Sequence, residues 1–221
     1  MLVNQGIKKE LTLYGKKIAE KGLVVAGGGN ISAREGDIIY LSPSGFALDE
    51  INEDQWVKME LATGKVINSN KLKPTCEIKM HLMCYRVRGD IRAVIHTHPP
   101  YVIGVISTGT KIKPMFPDYV TCLGKEVPLL PYIIPSGEKL AEVVGKVISK
   151  YNVISLKNHG ALTVGGNLKE AFYRSIVLEE AAKILFISKT VGTPAILTPY
   201  EVKEIDDLTA EAYRRRLLKD V

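Results

Sequence analysis

At 221 residues and 46% apolar content, the chain fits one large globular domain, or at most two small ones, with enough apolar surface to fill a core. The net charge of +6 is mild, and the basic run Arg214-Arg215-Arg216 with Lys219 has no aromatic stacking platform, so a solvated helix face is expected there and not a nucleic-acid surface. Three cysteines without C-x-x-C spacing exclude a disulfide framework and point to a reducing cytoplasm; Lys8, Lys9 and Glu10 interrupt the first apolar residues, and no run nears the ~18 of a membrane span.

Taken in chain order, Ile7, Leu11, Tyr14 and Ile18 recur at helical spacing, and Gly22 closes that helix. Gly27-Gly28-Gly29 forms a tight turn before a strand starting at Asn30-Ile31-Ser32. Asp37 to Leu41 reads as a strand ending in the turn Ser42-Pro43-Ser44-Gly45. Pro74-Thr75 opens a helix running to about Gly89, with Thr75 as its cap. Ile91 to Ile95 is a β-branched strand that delivers His96. Pro114, Pro117 and their neighbours read as an exposed loop that carries Asp118-Tyr119. Ser136 caps a helix to about Lys150, and Val153 to Leu156 is a strand followed by Asn158-His159-Gly160. Asn167 caps the longest helix, with Glu170 in the position of a capping-box partner. Residues from about 200 to 221 read as a C-terminal arm on a single domain spanning 1 to 221. Strands alternating with helices imply an α/β layered fold. The short turns between several strand pairs imply a mixed or antiparallel central sheet flanked by helices.

Two of the four histidines sit in Val94-Ile95-His96-Thr97-His98-Pro99. Side chains at i and i+2 of a strand point to one side, so two imidazoles so placed can grip one ion. His159 follows another apolar strand, where α/β sheets display functional groups. Together the three form a catalytic metal site with an open fourth position. Glu77, in the first turn of its helix, is then a carboxylate base near the metal. His81 is expected as a packing or surface residue. The turns at Gly27–Ser32 and Ser42–Gly45, and the helix start at Thr75-Cys76, offer amides and hydroxyls to an anion. Neither a Rossmann fingerprint nor a phosphate loop of the Walker type is present.

These pieces, Gly29-Asn30-Ile31-Ser32, Ser42-Pro43-Ser44-Gly45, Pro74-Thr75-Cys76-Glu77, His96-Thr97-His98-Pro99, Asp118-Tyr119 and Asn158-His159-Gly160, occur in an order that resembles the class II aldolase/adducin family over roughly residues 5 to 190. The likeness is strongest to its branch acting on fuculose 1-phosphate. The resemblance implies one zinc ion per chain on His96, His98 and His159, with Glu77 as a ligand of the resting metal that then acts as base. It implies a phosphate cradle at Gly29, Asn30, Ser44, Gly45, Thr75 and Cys76, and a proton donor, Tyr119, reaching the site from a neighbouring subunit of a ring of four. The reaction implied is reversible cleavage of a ketose 1-phosphate into dihydroxyacetone phosphate and an aldehyde such as lactaldehyde. Related 4-epimerases carry Asp where Glu77 stands, which favours the aldolase over a pentulose-phosphate 4-epimerase or a sugar-phosphate dehydratase. A non-enzymatic adducin-like interaction module would lack the histidines. One departure is Thr75-Cys76-Glu77 where the family commonly has Ser-Ser-Glu: cysteine is a weak donor, which shifts phosphate binding toward backbone amides or toward a different substrate.

Overall fold

The computed structural model describes residues 6–67 and 70–219. Helix α1 (Ile7–Glu20) buries Leu11 and Ile18, and Trp56 covers it while donating its indole N–H to Thr12 at 2.9 Å. Gly22, at φ +66°, turns the chain out of the helix. The strands that follow are β1 (Asn30–Glu35), β2 (Ile38–Leu41) and β3 (Val57–Glu60). Helix α2 (Ile78–Val87) leads to β4 (Ala93–Thr97). Short helices α3 (Pro100–Ser107) and α4 (Pro117–Leu123) precede β5 (Leu129–Leu130) and helix α5 (Glu138–Ile148). The chain continues through β6 (Val153–Leu156), β7 (Gly160–Gly165) and α6 (Leu168–Val191), then α7 (Pro199–Asp206) and α8 (Thr209–Lys219).

The strands form one mixed sheet in the order β3-β2-β1-β4-β7-β6-β5, antiparallel throughout except for the parallel β5–β6 pair. Helices cover both faces. On one face, α1 and the start of α6 close over Ile31, Ile95 and Phe172. On the other, α2 and α5 pack together over Met80, Cys84, Val144 and Ile154. A third cluster, with Val102, Tyr119, Leu178 and Val202, joins α3, α4, α6 and α7. Coverage on both sides explains why every residue of the central strand β4 is buried.

Four boundaries differ from the sequence reading. The strand near residue 91 begins at Ala93 and contains His96, because pairing with β1 and β7 continues through that residue. The helix after Pro74 starts at Ile78: Thr75 to Glu77 makes a turn, in which the Thr75 hydroxyl accepts the Glu77 N–H at 3.3 Å. Ser136 does not cap α5; it takes a left-handed φ of +66°, and Gly137 holds the cap position. Asp118-Tyr119 lies in α4, where Pro117 supplies the first turn, and is not in an exposed loop. The cap at Asn167 forms as expected, accepting from Glu170 N–H at 2.8 Å, but the Glu170 carboxylate reaches Gly166 N–H and Arg174 and not the Asn167 amide. The C-terminal helices fold back on the body, where Arg214 meets Asp118 and Arg215 meets Asp206. Much of the basic run is therefore occupied with internal ion pairs. Among the described residues no helix is long and apolar enough to cross a membrane.

Candidate active site

His96 sits inside β4, directly across from Asn30 on β1, and His98 follows just past the strand end. His159 occupies the turn between β6 and β7, where Asn158 takes φ +54° and the His159 N–H reaches Leu156 O at 3.0 Å. Pairing of Thr97 with Ala161 brings that turn against His98. Two glycines make the approach possible. A Cβ on Gly29, already at φ +70°, would meet the Val24 side chain at 2.5 Å and the His96 carbonyl at 2.8 Å. A Cβ on Gly160 would overlap the Thr97 carbonyl oxygen and sit 2.9 Å from the His98 ring.

The tautomer of His96 follows from its partner. The Ala161 carbonyl lies 2.9 Å from Nδ1 and can only accept, so Nδ1 carries the proton and Nε2 presents its lone pair. That Nε2 lies 3.0 Å from His98 Nε2 and 3.1 Å from Glu77 Oε2, while His159 Nε2 lies 3.4 Å from Glu77 Oε1. The four potential ligand atoms all fall within 4.8 Å of one another. The edges of a tetrahedron around an ion with zinc-like bonds are about 3.4 Å. Buried Glu77 Oε1 has no hydrogen-bond partner, and neither has His159 Nδ1. A nest of converging lone pairs, with a carboxylate oxygen left unpaired, suits a cation, and the residues present fit one divalent metal.

Electrostatics keeps these ligands ready. Burial first, and then the neighbouring His96, lowers His98 and His159 to about 4 each, so both imidazoles are neutral at neutral pH. Burial pushes the Glu77 carboxyl up, but positive charge on the facing imidazoles, His96 foremost, together with the Asn30 N–H outweighs it and holds the carboxyl well below the ordinary carboxylate range.

Beside the cluster is a cavity of about 320 Å³ whose lining includes Gly28, Gly29, Asn30, Ser44, Gly45, Thr75 and Cys76. All six residues expected to cradle an anion therefore come together. The Ser44 and Thr75 amides are taken by the carbonyls of Lys73 and Ser42, and the Thr75 hydroxyl, which accepts the Glu77 N–H, keeps its own proton to donate. Phe46 and Pro135 also line the cavity; nothing in their sequence context signalled it. Asn30 is turned inward: its Nδ2 donates to Glu77 Oε2 at 2.9 Å, and its Oδ1 lies 2.6 Å from His81 Nε2. His81, expected as packing or surface, is fully buried and hydrogen-bonded on both nitrogens, the second to Ser32 at 2.7 Å. Tyr119 does not join the site: it is fully buried in its own chain and donates its hydroxyl to Ile112 O at 2.9 Å. A second cavity, of about 400 Å³, lies near Arg88, Arg174 and Arg215, but these guanidinium groups already pair with Asp90, Glu170 and Asp206.

Comparison with known proteins identifies relatives along most of the chain. The L-fuculose phosphate aldolase of Methanocaldococcus jannaschii is 38% identical over 184 residues, covering 83% of this chain and 98% of that protein. The 5-deoxy-D-ribulose 1-phosphate aldolase of Bacillus thuringiensis is 33% identical, covering 90% of this chain and 92% of that protein. The 3-oxo-tetronate 4-phosphate decarboxylase of Pectobacterium atrosepticum is 32% identical, covering 83% and 85%. Among solved structures, an L-fuculose 1-phosphate aldolase superposes with a TM-score of 0.84 at 31% identity, covering 94% of this chain and 96% of that one. The family described as class II aldolase and adducin N-terminal domain matches residues 9–186. The chain therefore belongs to the class II aldolase and adducin family and is an enzyme of its lyase branch.

Proposed function

We propose that this enzyme is a zinc-dependent aldolase that reversibly splits a ketose 1-phosphate, of the fuculose 1-phosphate kind, into dihydroxyacetone phosphate and an aldehyde such as lactaldehyde. The observation that carries the reading is the convergence of His96, His98, His159 and Glu77 beside a hydroxyl-lined cavity. Bound zinc would supply a Lewis acid that polarises the ketone and stabilises the negative charge left when the C–C bond breaks. His96, held in one tautomer by Ala161, and the neutral rings of His98 and His159 hold the ion. Ser44 and Thr75 hydroxyls bind the phosphate and set the sugar's distance from the histidines. Glu77 removes the proton beside the ketone in the synthetic direction and returns it in cleavage. While it faces the imidazoles it is ionised; once it swings away from them, its burial raises its proton affinity and makes it a better base.

The proposed assembly is a homo-oligomer, a ring of four, supported by the exposed apolar side chains Phe186, Ile187 and Val191 along α6. The phenols free to reach a neighbouring chain are exposed ones such as Tyr132 and Tyr213, not Tyr119. The free thiols of Cys76, Cys84 and Cys122 fit a cytoplasmic setting.

Product analysis tests the whole reading. Purified protein would be assayed by elemental analysis and offered fuculose 1-phosphate, the ribulose phosphates and a 3-oxo-tetronate 4-phosphate, with and without chelator. One zinc per chain and chelator-sensitive release of dihydroxyacetone phosphate are expected. Full turnover by verified metal-free protein would overturn the metal assignment; release of carbon dioxide or of a 4-epimer would replace the aldolase by a decarboxylase or an epimerase. Equal rates on unphosphorylated sugars would remove the phosphate role from the cradle.

A further inference from the structure

We propose that His81 is a positioning residue: with Ser32 and Tyr85 it forms a one-way hydrogen-bond chain that fixes the Asn30 amide and, through it, the direction in which the Glu77 carboxylate points. The inference rests on the reading of Glu77 as ligand and base.

The polarity of the chain follows from its carboxylate end. An ionised Glu77 can only accept, so the amide atom 2.9 Å from Oε2 is the Asn30 N–H. Asn30 Oδ1 then faces His81 Nε2 at 2.6 Å and requires a proton there. Burial keeps His81 neutral, lowering it to about 3, so its Nδ1 is an acceptor. The Ser32 hydroxyl, 2.7 Å from Nδ1, must donate to it. The Tyr85 hydroxyl, 2.8 Å from Ser32 Oγ, then donates to the serine. Every donor points one step closer to Glu77, and each bond polarises the next.

Two periodicities place these groups. Asn30 and Ser32 are i and i+2 on β1 and so share a face. Glu77, His81 and Tyr85 are spaced four apart, from the last residue before α2 along the helix, and so form one stripe. Strand and helix meet along that line, and all five residues are buried. If the Asn30 amide turned over, its oxygen would oppose a carboxylate oxygen, and its N–H would face the donor on His81. His81 Nε2–H opposes that flip, and the Ser32 hydroxyl completes the arrangement by donating to the other nitrogen.

The test uses the full zinc-loaded chain and reads zinc affinity by competition with a chromophoric chelator, alongside kcat and KM for fuculose 1-phosphate. His81→Leu and Ser32→Ala are each made alone and with Glu77→Gln. Each single variant is expected to weaken zinc and lower kcat by about ten-fold, with KM within about two-fold. On the Glu77→Gln background neither should change zinc affinity by more than about two-fold, since the group they orient is gone. Equal weakening on both backgrounds would mean a general effect on the fold and would overturn the proposal, while leaving the reading of Glu77 intact. If Glu77→Gln alone left zinc affinity and turnover unchanged, that reading would fail and this chain would have nothing to orient. Nitrogen-15 NMR of the unmodified, metal-free protein keeps the proposal refutable should His81→Leu not fold. It should find the His81 proton on Nε2; a proton on Nδ1 instead would overturn the chain.

Discussion

At Glu77 opposing effects act on one carboxyl group. Burial disfavours its charge; positive charge on the facing imidazoles, His96 foremost, and the Asn30 N–H favour it, and they prevail. Under the proposed function this balance would let one residue serve as an anionic ligand and, away from the imidazoles, as a stronger base. Tyr119 is the contrasting case, a polar group whose partner is structural. Tyr119→Phe leaves the buried Ile112 carbonyl without its donor, so a loss of about 1–3 kcal/mol of stability is expected. Its kcat should stay within about two-fold of the parent, because the phenol points into its own core. Urea unfolding together with steady-state kinetics checks both parts; a hundred-fold fall in kcat at unchanged stability would restore Tyr119 to the reaction. Its sequence context misled because two flanking prolines suit a loop and the start of a helix equally well. His81 packs and stands outside the ligand group, as expected, but its hydrogen bonds were not legible, because they form only when its stripe, Glu77 and Tyr85, is set against Asn30 and Ser32.

Among the elements, the β4–β7 pair does most to build the site. It joins the strand carrying His96 to the turn carrying His159, and leaves so little room that residue 160 must be glycine. Gly160→Ala should cost about 1–3 kcal/mol through overpacking and should displace the His98 ring, lowering the metal content of the purified protein. Thermal melts and metal analysis check this, and a fully metal-loaded variant of normal stability would contradict it. In the sequence β3, α3, β5 and β7 give no signal that the reading used and α4 reads as a loop, whereas helical spacing, β-branched runs and turn residues made α1, β1, β2, α2, β4, α5, β6 and α6 legible. Their ends were less so, since β4 runs on through His96 only because both neighbouring strands continue to pair with it.

For the whole molecule, the buried histidines link folding to pH. Unfolded, His81, His98 and His159 take up protons below their ordinary value of 6.5; folded, they resist until about 3 for His81 and about 4 for the other two. The unfolded state therefore binds more protons between those limits, and the stability of the metal-free protein is full above pH 6.5 and declines as pH falls toward 4. At pH 5, about 1.5 units below the unfolded value, fully buried His81 alone accounts for a loss of about 2 kcal/mol. Urea midpoints in chelator at pH 7.5 and pH 5 measure this, and a midpoint independent of pH would refute it. The sequence by itself determined the layered α/β class, the three strand-end histidines and the turns that line the cavity, because each carries a local signature of spacing or turn chemistry; Glu77 stood out only beside the histidines and through the family's motif order. Only the tertiary structure decided that Asn30 faces Glu77, that His81 supports them, and that Tyr119 is sealed inside its own chain. Those three facts depend on which helix lies over which strand, a consequence of long-range packing that no local pattern of residues encodes.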